Sequence, residues 1–253
     1  LKLNTTGATN TAVGRSALFE NTTGANNVAV GYQALDANTT ATQNVAIGNG
    51  ALGANTTVSE LTAVGHEAAN AANGALGICA IGYKAATDTT GNYATAVGYQ
   101  ALFTNTTGAN NTALGWSALR LSTDSANNTG LGYNALTVNT TGANNTAVGS
   151  SALVANTTGA DNLAVGHGAL DANTTGSKNV AIGRDALGAN EVGQNAVAIG
   201  YGAATAWIPT DTAKNITAVG YNALMSNTTS GYNTAFGYQA ADAITTGNYA
   251  VAI

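Results

Sequence analysis

Short apolar stretches alternate with polar turns along the whole chain at a nearly constant interval. The apolar stretches end in Ala, a large apolar residue and a glycine, as in Ala46-Ile47-Gly48, with Gly130 as the one exception at the Ala position. Eleven of the thirteen spacings between these anchor glycines are 17 residues, one is 16 and one is 20. A fixed period of this kind indicates an internal repeat. The anchor glycines are Gly14, Gly31, Gly48, Gly65, Gly82, Gly98, Gly115, Gly132, Gly149, Gly166, Gly183, Gly200, Gly220 and Gly237.

Other positions of the repeat are also fixed. The residue three after the anchor glycine is always Ala, the next is Leu or Ala, and a turn such as Asn-Thr-Thr-Gly-Ala-Asn follows. Helical repeats need about 33 residues or more, whereas a short alternating stretch with a Gly- and Asn-rich turn is typical of one rung of a β-solenoid. The sequence therefore predicts an all-β parallel β-solenoid of about 15 coils. We expect residues 1–253 to be a single repeat domain and a fragment of a longer array.

The alternation within each strand predicts two different faces. Val30 and Ala29 should point to opposite sides, and we expect Val30 and its equivalents to fill the rung while Ala and Gly form an outer row. Such a row favours close approach of another chain, most simply in a parallel homotrimer. Leu35 lies five positions after Val30. Either the glycine bends the chain, or Leu35 points at the oligomer axis.

Composition and charge exclude several functions. Charged residues make up 8% of the chain, and seven Lys and Arg residues cannot build a basic surface for nucleic acid. No stretch approaches the roughly 18 apolar residues of a membrane helix, so we expect no direct membrane insertion. One cysteine, Cys79, excludes an intrachain disulfide and a multi-cysteine zinc site. No catalytic triad or carboxylate pair stands out, which predicts a protein without catalytic residues, cofactor or metal.

The pentapeptides resemble those of a known family. Asn44-Val45-Ala46-Ile47-Gly48 and Asn179-Val180-Ala181-Ile182-Gly183 are similar to the head repeats of trimeric autotransporter adhesins. The longer unit, Asn-Asn-Thr-Ala-Val-Gly-Tyr-Gln-Ala-Leu followed by Asn-Thr-Thr-Gly, resembles repeats of phage and bacterial tail-fibre proteins. The resemblance implies a left-handed β-roll, three chains side by side, and an extended attachment fibre. The location that the resemblance implies is either a bacterial cell surface or a virion tail.

Aromatic residues often follow the anchor glycine and could form a ladder that binds sugars through ring faces. Alternatively, the rings stack on neighbouring rungs and contribute only stability. The 20-residue coil contains an interruption, Ala206-Trp207-Ile208-Pro209-Thr210-Asp211. This interruption is either a site of specific contact or a neutral insertion. The candidate ligand contacts are Trp207, Pro209, Tyr32, Tyr99, Trp116 and Tyr133.

Recurring Asn-Thr-Thr tripeptides are formal acceptors for N-linked glycans. The alternative for these asparagines is a side-chain hydrogen-bond ladder between rungs. His66 and His167 share the ladder position of the aromatic residues, and we expect a surface or ladder role for both. The candidate glycosylation sites are Asn21, Asn38, Asn105, Asn139, Asn156 and Asn173.

These observations predict a structural and attachment segment of an extracellular fibre, either a phage tail fibre or a trimeric bacterial surface adhesin. Its expected partners are copies of itself and a glycan or protein receptor on a host or surface. The alternative is a purely structural, glycosylated extracellular filament subunit.

Overall fold

A computed structural model describes residues 1–209 and 215–253, and the chain divides into two compact units, Leu1–Asn127 and Asn128–Ile253. Across these described ranges the secondary structure consists of 15 short strands and contains no helix. The predicted all-β parallel solenoid is confirmed. The strands are β1 (Thr11–Val13), β2 (Val28–Val30), β3 (Val45–Ile47), β4 (Thr62–Val64), β5 (Cys79–Ile81), β6 (Thr95–Val97), β7 (Thr112–Leu114), β8 (Thr129–Leu131), β9 (Thr146–Val148), β10 (Leu163–Val165), β11 (Val180–Ile182), β12 (Val197–Ile199), β13 (Ile216–Val219), β14 (Asn233–Phe236) and β15 (Val251–Ala252).

Each unit stacks its strands in parallel and in the register of the repeat. In the first unit β1 to β7 pair consecutively, so that Ala12 lies beside Ala29 and Ala29 beside Ala46. In the second unit β8 to β15 pair in the same way. The longest coil keeps the register, because Val197 still pairs with Thr217. The differences in coil length therefore fall outside the paired strands.

The faces of the strands are the reverse of our prediction. Ala29 and Ala46 are fully buried, whereas Val13 is 57% exposed and Ile47 is 39% exposed. Leu35, which we considered for the oligomer axis, is also fully buried. The odd separation of valine and leucine does place them on opposite sides, but Leu fills the rung and Val points outward. Because the leucine occupies the narrow interior, the inward position of the strand holds only a methyl group.

The core of a rung is small and partly polar. In the second rung it consists of Asn21, Asn27, Ala29, Ala34 and Leu35, all fully buried. Burial of one leucine contributes about 1.5–3 kcal/mol, so hydrogen bonds between rungs supply much of the remaining stabilisation. This composition explains how a chain poor in large apolar residues folds.

The anchor glycines are required by stacking and by backbone conformation together. Gly31 has φ +139°, and a Cβ atom at Gly31 would lie 2.4 Å from the carbonyl oxygen of Gly48 in the next rung. A side chain would therefore clash with backbone as well as strain its own torsion angle. This explains why no other residue occurs at the position.

Candidate functional site

The described ranges contain no group of three or more His, Cys, Asp or Glu side chains arranged to hold a metal ion. Within the same ranges, no helix is both long enough and apolar enough to span a lipid bilayer.

The outer sheet face consists, in each rung, of the large apolar residue directly before the anchor glycine, here called the third position, and of the residue two places earlier, called the first position. In the first unit its third positions are exposed or half-buried apolar side chains, and its first positions are Thr, Val or Cys79. Seven strands at a spacing of about 4.8 Å make this strip about 29 Å long. Contiguous exposed apolar surface of this kind marks an interaction site. The third positions are Val13, Val30, Ile47, Val64, Ile81, Val97 and Leu114, and in the second unit Leu131, Val148, Val165, Ile182, Ile199, Val219 and Phe236.

Aromatic side chains beside the outer sheet face form stacked ladders. In the first unit the rings of Tyr99 and Trp116 lie 4.0 Å apart at an interplanar angle of 8°, and Tyr83 and Tyr99 lie 5.0 Å apart at 10°. In the second unit Tyr201, Tyr221 and Tyr238 stack at 5.3 Å. The faces that a sugar would stack on are thus largely covered by neighbouring rings. The geometry agrees with the stabilising alternative for the candidate Tyr99.

Tyr32 and Tyr133 stand apart from these ladders among the candidate contacts. Tyr32 is 42% exposed and carries the Arg15 guanidinium over its ring at 5.7 Å, and Tyr133 is 55% exposed. Trp116 is 49% exposed. These three side chains lie at the surface, where contact with a ligand stays a prediction.

The two histidines have the surface and ladder roles that we expected. His66 stacks on Tyr83 with ring centroids 5.2 Å apart. His167 places Nδ1 3.7 Å from Oδ1 of Asp185. On the neighbouring rung the Lys84 ammonium lies 3.2 Å from Oε2 of Glu67, and this hydrogen bond and charge raise the pKa of Lys84.

Trp207 and Pro209 are not surface contacts, and this prediction is wrong. Trp207 is fully buried, and its indole Nε1 donates a hydrogen bond to the carbonyl oxygen of Ser230 at 2.9 Å. Pro209 is also buried. Trp207 stands seven residues after Gly200, the position at which most other rungs have a buried asparagine, and in the same rung the smaller Ala204 replaces the usual leucine. Thr210 and Asp211 of the same interruption lie outside the described residues.

The six candidate glycosylation sites are all fully buried, so the folded chain cannot carry glycans on them. Asn38 Nδ2 donates to Asn21 Oδ1 at 2.7 Å, and Asn156 and Asn173 donate to the preceding asparagines at the same distance. Asn105 Nδ2 donates to the carbonyl oxygen of Gly108, and Asn139 Nδ2 makes the same contact with the carbonyl oxygen of its own turn. The ladder alternative agrees with the contacts between rungs made by Asn21, Asn38, Asn139, Asn156 and Asn173, whereas the contact of Asn105 lies within its own turn. The glycosylation prediction is wrong for this fold.

A second asparagine column supports the same turn from the other side. Asn27 Oδ1 accepts a hydrogen bond from the backbone N–H of Asn44, and Asn27 Nδ2 donates to the carbonyl oxygen of Ala41. In the second unit Asn145 and Asn162 repeat this pattern. Each such side chain joins two rungs through backbone atoms, which explains why Asn recurs just before the strands.

Sequence reasoning missed a polar notch, which we define as the concavity lined by Gln33, Asp36, Gly50, Gly53, Ala54 and Asn70. Its volume is about 280 Å³. The available signal was the pair Gly50 and Gly53, which replaces the larger polar residues that neighbouring rungs have at these positions.

Comparison of the chain with protein-family models, with curated proteins and with solved structures finds no match. The likeness of the repeats to adhesin heads and tail fibres thus stays a prediction.

Proposed function

We propose that this chain is a structural and attachment segment of an extracellular fibre, of the kind found in phage tail fibres or trimeric bacterial surface adhesins. In this proposal three parallel copies pack side by side through their outer sheet faces. The observation that carries it is the exposure of the Val, Ile and Leu column while Ala lies inside.

The structure changes which surface the proposed interface uses. We had assigned contact between copies to a row of small side chains, but these are buried within the rung. The exposed column offers larger apolar side chains at the regular spacing of a parallel sheet, and its first positions add threonine and valine methyl groups. A cyclic arrangement of three identical parallel strips about one axis would cover each column with its counterparts.

Cys79 provides a direct test, because it is the only cysteine and lies half-buried on the outer sheet face between Thr62 and Thr95. We expect native protein of three times the monomer mass by light scattering, with the Cys79 thiol reacting slowly with an aromatic disulfide reagent. Ile81→Lys places a charge on the same face, two residues away, and should yield a monomer with a rapidly reacting thiol.

Thr57→Lys is the matched control, because Thr57 is exposed on a turn and lies off the outer sheet face. This variant should keep the oligomer mass and the slow thiol reaction of the native chain. A monomeric native chain with a freely reacting Cys79 would refute the proposed interface.

One observation favours the alternative of a purely structural filament. Trp207 and Pro209 are buried and Tyr99 stacks between Tyr83 and Trp116, so half of the six candidate contacts serve the fold. Electron microscopy separates the two functions, because discrete trimeric rods fit an attachment segment and continuous end-to-end polymers fit a filament subunit.

A further inference from the structure

We infer that the polar notch binds a single sugar ring of a neutral glycan. This inference rests on the proposed function, to which it adds a site for attachment. The residues that line the notch belong to the first unit, and none of them is part of the outer sheet face or of a stacked ladder.

The notch arises where two side chains of the repeat are missing. Gly50 and Gly53 stand two and five residues after the anchor Gly48, where the preceding rung has Gln33 and Asp36. The notch thus has a floor of backbone, with polar side chains from the preceding and following rungs as walls. Its volume of about 280 Å³ lies just below the range of about 300–1,000 Å³ for drug-sized ligands. One sugar ring suits this size.

The walls converge over the floor. A Cβ atom at Gly53 would lie 2.7 Å from Asn70 Nδ2 and 3.5 Å from Asp36 Oδ1, so an amide and a carboxylate from opposite walls approach the same point. Asn70 Nδ2 also donates to the carbonyl oxygen of Gly50 at 2.7 Å. This bond holds the amide in place from the following rung.

The chemistry of the lining selects the ligand. Asp36 accepts hydrogen bonds, and the amides of Gln33 and Asn70 both donate and accept, which suits hydroxyl groups that do both. A carboxylate without a lining cation disfavours anions, and one carboxylate with two amides falls short of the six to eight oxygen ligands of calcium. A polar lining disfavours an apolar ligand. A neutral polyhydroxyl ring satisfies all of these conditions.

The partial burial of Asp36 is a further observation that supports sugar binding. Desolvation raises the pKa of Asp36, while hydrogen bonds from the backbone and from Gln33 oppose this effect. The carboxylate is therefore partly removed from water before any ligand binds, which lowers the further desolvation that a sugar would cause.

Filling the notch with the repeat's own residues gives a test that spares the fold. Gly50→Gln is compatible with the backbone, because Gln33 holds the equivalent position at φ 54° and Gly50 has φ 64°. Gly53→Thr places a residue that other rungs have at this position, such as Thr87, against Asn70 Nδ2, so that the Asn70 amide must leave its bond with Gly50. Gly202→Gln is the control, with the same repeat position and φ 64° in the second unit, and Gly202 is not one of the residues that line the notch.

Binding should be measured by saturation-transfer NMR with methyl pyranosides of glucose, galactose, mannose and N-acetylglucosamine, and by a glycan array with the full chain. We expect at least one pyranoside to bind the native protein. The double variant Gly50→Gln/Gly53→Thr and the variant Asp36→Ala should each weaken binding at least tenfold, whereas Gly202→Gln should not.

Absence of binding to every sugar, or equal binding by the filled variant, would overturn the inference. Circular dichroism and thermal unfolding of each variant establish that it is folded. The mass and Cys79 reactivity of the same samples test the fibre proposal separately, so that a native trimer without sugar binding would refute only the notch.

Discussion

The indole Nε1 of Trp207 donates a hydrogen bond to the carbonyl oxygen of Ser230, 2.9 Å away in the following rung. Asparagines at the same repeat position donate instead to a carbonyl oxygen of their own turn, as Asn190 Nδ2 does to Gly193. Trp207 also lies against Gly193, where an added Cβ would be 2.6 Å from the indole Cη2 atom. The one irregular coil of the second unit is thus stabilised by a buried aromatic ring.

Trp207→Ala should lower the free energy of unfolding by about 3–5 kcal/mol, because it empties a fully buried site. Chemical denaturation followed by circular dichroism measures the loss. The double variant Ala204→Leu/Trp207→Asn restores the residues of the other rungs and should recover much of the lost stability. A Trp207→Ala protein as stable as the native chain would contradict the packing role.

Asn156→Ala should destabilise the second unit, because Asn156 donates to Asn139 Oδ1 and to the carbonyl oxygen of Gly159 and accepts from Asn173. Each buried group left without a partner costs about 1–3 kcal/mol. Thr158→Ala is the matched control, since it removes the same glycosylation tripeptide at an exposed residue and spares the ladder. Equal melting temperatures for both variants would argue against the ladder.

Tyr99→Ala should interrupt the ladder between Tyr83 and Trp116 and lower the free energy of unfolding by about 0.5–1.5 kcal/mol beyond the loss of buried area. In a Trp207→Phe background, which leaves Trp116 as the single tryptophan, the emission of Trp116 should shift to the red. Tyr99→Phe keeps the stack and should leave the emission unchanged. A red shift of equal size in both variants would count against stacking.

Asp171→Asn should stabilise the protein more at pH 7 than at pH 3. Desolvation, together with the negative charge of Asp185, raises the pKa of Asp171 above its ordinary value of 3.8. The folded chain therefore binds this proton more tightly than the unfolded chain, and stability falls as the pH rises through the raised pKa. The variant has no carboxylate at this position and therefore does not lose stability in this way as the pH rises. Thermal unfolding at both pH values measures it, and a difference from native protein that does not change with pH would disprove the effect.

Much of the fold was predictable from residue spacing. The anchor glycines at intervals of 17 predicted parallel rungs, and the stacking of Ala12, Ala29 and Ala46 follows that interval. The candidate sites were less predictable. Trp207 and Pro209 were expected at the surface because they interrupt a turn, and the notch was missed because it is defined by absent side chains.

The sequence by itself determined the period, the parallel stacking and the opposite orientations of Val30 and Ala29, because these depend only on spacing and on the alternation of a strand. Which face is enclosed was decided by the tertiary structure. That choice depends on how the turn brings Leu35, Asn21 and Asn27 into one small interior, and local alternation contains no information on it. The same closure buries the asparagines and leaves the valines outside.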